Sequence, residues 1–168
     1  MAGNKYLTNN AGTITEVASL QSSAGAGDAG KIPALDAAGR LDNSMMPSGI
    51  GADTASVTSS ENLAAGDLVN IWNSTGAKVR KADATTAGKE AHGFVLSAVT
   101  SPAAATVYFE GSNTGVTGLT PGPQFLSTTA GVATATAPSG AGNVVPRVGF
   151  ATAAAALNFQ AGVPIVLA

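Results

Sequence analysis

The chain has 168 residues, enough for one domain with an appendage and for a buried core. Charged residues make up 11% and aromatics 5%, the net charge is -2 and there is no cysteine, so disulfides, thiolate metal ligands and cysteine nucleophiles are excluded together. The 8 Lys and Arg residues are dispersed apart from Lys78, Arg80 and Lys81, which leaves no basic footprint for nucleic acid.

The opening MAGNKYLTNN has neither the basic start nor the continuous apolar core of a secretion signal. No run approaches the roughly 18 apolar residues that span a bilayer, so the chain is expected to be made in the cytoplasm and to stay soluble, without a membrane partner. TITEVASLQ, residues 13–21, predicts a strand or one or two helical turns, with Thr15 and Glu16 as a capping pair. SSAGAGDAG (22–30) and PSGIGADTAS (47–56) read as linkers that turn at their glycines. Between them lies KIPALDAAGRLDNSMMP (31–47), with apolar Ile32, Leu35, Leu41, Met45 and Met46 broken by Pro33, an Ala-Ala-Gly turn and Pro47. It is too interrupted for a regular helix or strand and too apolar for a solvated loop, so it calls for a partner surface. Residues 1–56 are therefore assigned to an extended, mostly irregular N-terminal arm.

From residue 57 the pattern changes to short β-type runs: DLVNIW (67–72), AKVRKA (77–82), HGFVLSAV (92–99), ATVYFEG (105–111), PQFLST (123–128), VATAT (132–136), PRVGFAT (146–152) and PIVLA (164–168). The spacing predicts an all-β domain over 57–168, a small antiparallel β-barrel or β-sandwich. NSTG (73–76) and TTAG (128–131) read as hairpin links closed by glycine, so neighbouring runs are expected to pair antiparallel. In DLVNIW, Leu68, Asn70 and Trp72 face one way and Val69, Ile71 and Asn73 the other. The alanine-rich FATAAAALNF (150–159) reads as a buried strand pair or turn.

Two stretches carry a resemblance. GKIPALDAAGRLDNSMMP resembles the GKIVKLDANGKLDASLLP pattern of tailed-phage virion proteins, and GLTPGPQFLSTTAGVATATAPSGAGNVVPRVGFATAAAALNF resembles a module of phage fibre and capsid-decoration proteins. In the second, Leu119, Gly122, Phe125, Leu126, Ser127, Gly131, Pro138, Gly142, Val145, Arg147, Val148, Gly149, Leu157 and Phe159 match in order. The resemblance implies a β-rich virion surface domain, commonly a homotrimer, attached by an N-terminal arm. It implies a capsid decoration (cement) protein on the outer surface of the phage head, stabilising it by binding across major capsid subunits. The alternative is a head-fibre or tail-fibre component that binds the host surface. On this reading Ile32, Leu35, Leu41, Met45 and Met46 dock into capsid grooves.

No enzyme is expected. His92 is the only histidine and lacks a second ligand for a metal, so it reads as structural or surface-lying, with no metal or cofactor. Asp28, Asp36, Asp42 and Asp53 lie in the arm, and Glu61, Asp67, Asp83, Glu90 and Glu110 fall at strand ends or loops, positions of solvated turns. There is no GxSxG elbow, and GAGDAG lacks the flanking strand, helix and Lys-Ser/Thr pair of a phosphate loop. Arg147 reads either as an exposed strand residue or as an inter-subunit ion pair. Trp72 and Tyr108 read as core or subunit-interface packing rather than as a sugar platform. Trp72, Tyr108 and Arg147 are the residues assigned to a trimer interface.

Overall fold

The computed structural model describes residues 5–47 and 51–168, which form two compact units, 1–51 and 52–168. The strand that begins at Thr54 belongs to the second unit, so the division falls at residue 51 rather than 56. Residues 48–50 of the 47–56 linker lie outside the described residues.

The first unit opens with an antiparallel hairpin of β1 (Lys5–Asn10) and β2 (Thr13–Ala18). Ala11 and Gly12 make its two-residue turn at φ 50° and 91°, and Asn9 Oδ1 accepts from the Gly12 N–H at 2.8 Å. Residues 13–18 are thus a strand, with no helical turn. The rest of the arm is irregular along most of its length but is not a flexible linker in form. Three aspartates close its loops by accepting backbone N–H groups: Asp28 from Ala24, Asp36 from Ala38 and Arg40, and Asp42 from Ser44. Ser44 Oγ in turn accepts from Ser23 N–H at 2.8 Å, and Leu20 bridges residues 32–34 through two backbone hydrogen bonds. The glycine-rich 22–30 stretch is therefore a defined turn built around Asp28.

The second unit is all-β, as composition and spacing predict. It contains both a barrel and a sheet. The closed barrel runs β3 (Thr54–Ser59), β5 (Ala77–Lys81), β4 (Leu68–Asn73), β6 (Gly93–Phe94) and β7 (Ala104–Tyr108). Its pairs are antiparallel except β3 with β5, whose parallel contact at Thr58–Lys78 and Ser59–Val79 departs from sequential antiparallel pairing and closes the barrel. The antiparallel sheet runs β10 (Ala133–Thr134), β9 (Gly122–Leu126), β11 (Arg147–Ala153), β12 (Ala156–Phe159) and β8 (Gly111–Asn113).

Alternation in β4 explains how one strand serves two cores. Val69 points into the barrel with Leu63, Val79, Val95, Ala105 and Val107. Leu68, one residue earlier, joins Phe94, Leu126, Val148, Leu157 and Phe159 in the core that unites barrel and sheet. Burying side chains of this size contributes about 1.5–3 kcal/mol each, which makes the second core the main tie between barrel and sheet. Gly93 is required at the β6 crossing, because an added Cβ would lie 2.5 Å from the Tyr108 carbonyl oxygen.

Three predicted strands are shorter than expected, and 132–136 ladders only at Ala133 and Thr134. In 92–99 only Gly93 and Phe94 are laddered; the rest of that run is held by Val95 donating to Asp67 O and by the Leu63–Val99 bridge. The tail 164–168 makes a single bridge, Val144–Val166, flanked by hydrogen bonds from Val145 N to Ile165 O and from Leu167 N to Asn143 O. Pro123 sits inside β9, beyond the two residues, Phe125 and Leu126, that β10 covers. No helix among the described residues is long and apolar enough to cross a membrane.

Candidate attachment surfaces

None of the described arm residues is buried. Leu7, Ile14, Ile32, Leu35, Leu41 and Met46 are exposed, from 39% for Met46 to 71% for Leu7. Four of the five apolar residues singled out in 31–47 therefore face solvent. Met45 differs: it is half-buried and lines a cavity of about 250 Å³ with Leu20, Ser23, Asp28, Lys31, Pro33 and Ser44. Leu7 and Ile14 were not singled out from the sequence. Cross-strand partners share a face, so the Leu7–Glu16 and Asn9–Ile14 pairs put both apolar side chains on one side of the hairpin as diagonal neighbours. The alternation around the Ala-Gly turn is the signal that marks them.

The arm's carboxylates act as loop anchors. The ammonium of Lys31, 2.8 Å away, and the Ala24 N–H hold the Asp28 carboxyl below its ordinary value. Hydrogen bonds from the Ser44 hydroxyl, then the Ser44 N–H, do the same for Asp42.

The three residues assigned to a trimer interface have separate surroundings. Trp72 is half-buried, with the Arg80 guanidinium 4.5 Å from its ring centre and its Nε1 donating to Ser60 Oγ at 3.3 Å. Tyr108 is half-buried and stacks on Phe94 of its own chain at 5.4 Å. Arg147 is exposed and lies over the Phe150 ring at 3.8 Å, with no carboxylate in ion-pair range among the described residues. A bulge creates that contact. Between β9 and β11 the register slips at Arg147–Gly149, so Arg147 and Phe150 both face outward across buried Val148 and Gly149. Gly149 has φ 130°, and an added Cβ would lie 2.0 Å from the Asn158 carbonyl oxygen, so only glycine fits the bulge.

Several of the body's titratable groups have structural partners. His92 is exposed, and its Nδ1 accepts from the Ile71 N–H at 3.1 Å. Lys81 pairs with Asp67 at 3.2 Å, while Arg80 donates to Asn70 Oδ1 and Gly88 O. Burial pushes the Asp83 carboxyl up, but hydrogen bonds from Thr85 and Lys89 outweigh it and leave the group below its ordinary value. Among the described residues no group of three His, Cys, Asp or Glu side chains is placed to hold a metal ion. No family model, no curated protein and no solved structure matches the chain.

Proposed function

We propose that the protein is a structural component of a phage virion, a capsid decoration protein whose arm attaches a trimeric β body to the outer surface of the head. The observation that carries this reading is the arm's composition: six large apolar side chains exposed in a unit without one buried residue among those described. A two-stranded hairpin and a few carboxylate-closed loops are marginal alone in water, so a surface that covers them supplies stability as well as attachment. Ile32, Leu35, Leu41 and Met46 are the contacts with the major capsid protein, and Met45 shapes the cavity beside them. Three arms on one trimer add avidity to modest individual contacts. The reading requires no catalytic step and no cofactor.

The test is removal of residues 1–51, the whole first unit. The remaining body keeps both cores and is expected to fold, while cosedimentation with undecorated capsids falls to background. Unchanged occupancy by the truncated body would move the attachment surface onto the β domain.

A further inference from the structure

The one tryptophan and the one basic cluster of the sequence meet on the outer face of the barrel. Val57, Val69, Val79 and Val107 point inward, so Asn70, Trp72, Lys78 and Arg80 point outward with Ser56, Thr58 and Thr106. Register puts Trp72 beside Lys78, and the parallel β3–β5 contact that closes the barrel puts Lys78 beside Thr58. Ser56 and Thr106 pair in the next row of that face, and both are exposed.

Arg80 is held in place before any ligand arrives. Its Nε donates to Asn70 Oδ1 at 3.0 Å and its Nη2 to Gly88 O at 2.9 Å. Asn70 is 1% exposed and is itself fixed by donating to Glu90 O at 2.8 Å. The Trp72 ring covers one face of the guanidinium, 4.5 Å from its centre. Two of a guanidinium's five N–H groups are thereby taken, and neither is on Nη1. Lys78 stands roughly 7 Å along the same side of β5. Among the described residues neither cation has a carboxylate in ion-pair range. Glu61 and Glu90, which flank them in the hydrogen-bond network, accept the backbone N–H groups of Lys81 and Gly88 instead.

We infer that this face binds an acidic saccharide, whose carboxylate takes the free edge of Arg80 and the Lys78 ammonium while its hydroxyls meet Ser56, Thr58 and Thr106. A planar guanidinium whose rotamer is already fixed loses little entropy on accepting a carboxylate, and the indole shields one side of it from water. Two cations on a chain of net charge -2 fall far short of the roughly 6–10 phosphate contacts that carry nucleic-acid binding. None of the exposed large apolar side chains belongs to β3, β4, β5 or β7, so the apolar core of a protein interface is missing. A surface of cations and hydroxyls matches a ligand of carboxylates and hydroxyls. Trp72 backs Arg80 rather than offering a stacking platform. The inference is independent of the arm's attachment to a capsid.

The experiment titrates the full chain with trigalacturonate at low salt and follows the emission and the indole Nε1–H resonance of Trp72, the only tryptophan. Saturable shifts with a dissociation constant of about 1 mM or tighter are expected, and none from the uncharged methyl ester of the same trimer. Arg80→Lys, which keeps the charge and loses the fork, is expected to weaken binding at least about tenfold. Lys78→Gln breaks no ion pair of the free protein, so it should weaken binding about threefold to fivefold at an unchanged melting temperature. Lys81→Gln, whose ammonium already pairs with Asp67 at 3.2 Å, should leave the affinity in place. Flat Trp72 signals up to about 10 mM trimer overturn the site. Equal shifts from the methyl ester overturn the charge recognition, and equal saturation by inorganic phosphate or by triglutamate overturns the saccharide as the ligand. Binding that survives Arg80→Lys and Lys78→Gln together overturns this face.

Discussion

The arm and the body use the same apolar residue types in opposite directions. In the body Leu68, Phe94, Leu126, Leu157 and Phe159 are all at most 1% exposed, and two cores share strand β4. Among the arm's described residues every Leu and Ile except Leu20 is exposed, and the loops are shaped by carboxylates accepting N–H groups. The difference separates a unit that folds by burial from the one to which the proposed function gives the binding. Burial stabilises the body without help, whereas the arm's apolar surface gains free energy only when a partner removes it from water.

The largest break in that comparison is a cavity in the shared core. Phe94 is 1% exposed and packs on both Tyr108 and Phe159, with ring centres 5.4 and 5.6 Å away. Phe94→Ala is expected to destabilise the body by about 3–5 kcal/mol, read as a lower melting temperature. The hairpin's cross-strand amide contacts, followed by NMR below that melt, are expected to be unchanged. Loss of the hairpin signals together with the body would show that the two units fold as one.

A smaller effect, confined to binding, is expected from Leu41→Ser and Met46→Ser. Both side chains are exposed, so the free protein's melting temperature should hardly move. Each change is expected to weaken capsid binding by about 1–3 kcal/mol if the side chain is buried on docking. Met45→Ser sharpens the contrast: its half-buried side chain lines the arm's cavity, so it should disturb the arm in the free protein as well. Equal, purely binding losses from all three would mean that the cavity has no role in shaping the arm.

How much of this was legible in the sequence depends on where the signal lay. The β4–β5 hairpin was readable because Asn73 and Gly76 bracket a conventional turn, with Gly76 donating to Asn73 Oδ1. The β1–β2 hairpin was not: Ala11 takes a positive φ, as Thr75 does in the other turn, but the strands it joins, KYLTNN and TITEVA, are mostly polar and exposed rather than apolar runs. The run 92–99 was apolar because it is buried, not because it is laddered, and periodicity does not separate the two. The exposure of the apolar residues in 31–47 was legible because proline and glycine break any regular element that could bury them. Phe150 was missed for the opposite reason: β11 looks like a regular alternating strand, and only the bulge at Gly149 turns Phe150 to the same side as Arg147. The roles of Asp28 and Asp42 were hidden because a turn rich in Gly and Ser reads as flexible until the carboxylate that closes it is placed.

The smallest expected effect concerns those two carboxylates, and it distinguishes the units by pH. Asp28 and Asp42 both lie below the ordinary 3.8 in the folded arm. A depressed carboxylate contributes stability that is present in full above its unfolded value, here 3.8, and is lost as pH falls through the lower folded value. Acidification below about pH 4 should therefore loosen the arm's loops while the apolar cores, which do not titrate, persist. The body's Asp83 is depressed as well, but it closes a local turn to Thr85 and Lys89 and lies outside both cores. The amide protons of Ala24 and Ser44 donate to the two arm carboxylates at 2.7 and 2.9 Å and should report their protonation directly. Their chemical shifts are expected to titrate with midpoints below 3.8, while Val107 in the barrel stays constant over the same range. Asp28→Asn should abolish the titration at Ala24 and leave that at Ser44, because the two loops are closed by different carboxylates. An Ala24 shift that follows Asp42 in the variant would show that the loops open together, through the Ser44 hydroxyl that links Ser23 to Asp42. A flat response at both amides down to about pH 2 would mean that the carboxylates do not hold the arm's loops, and that its shape depends on the surface it meets.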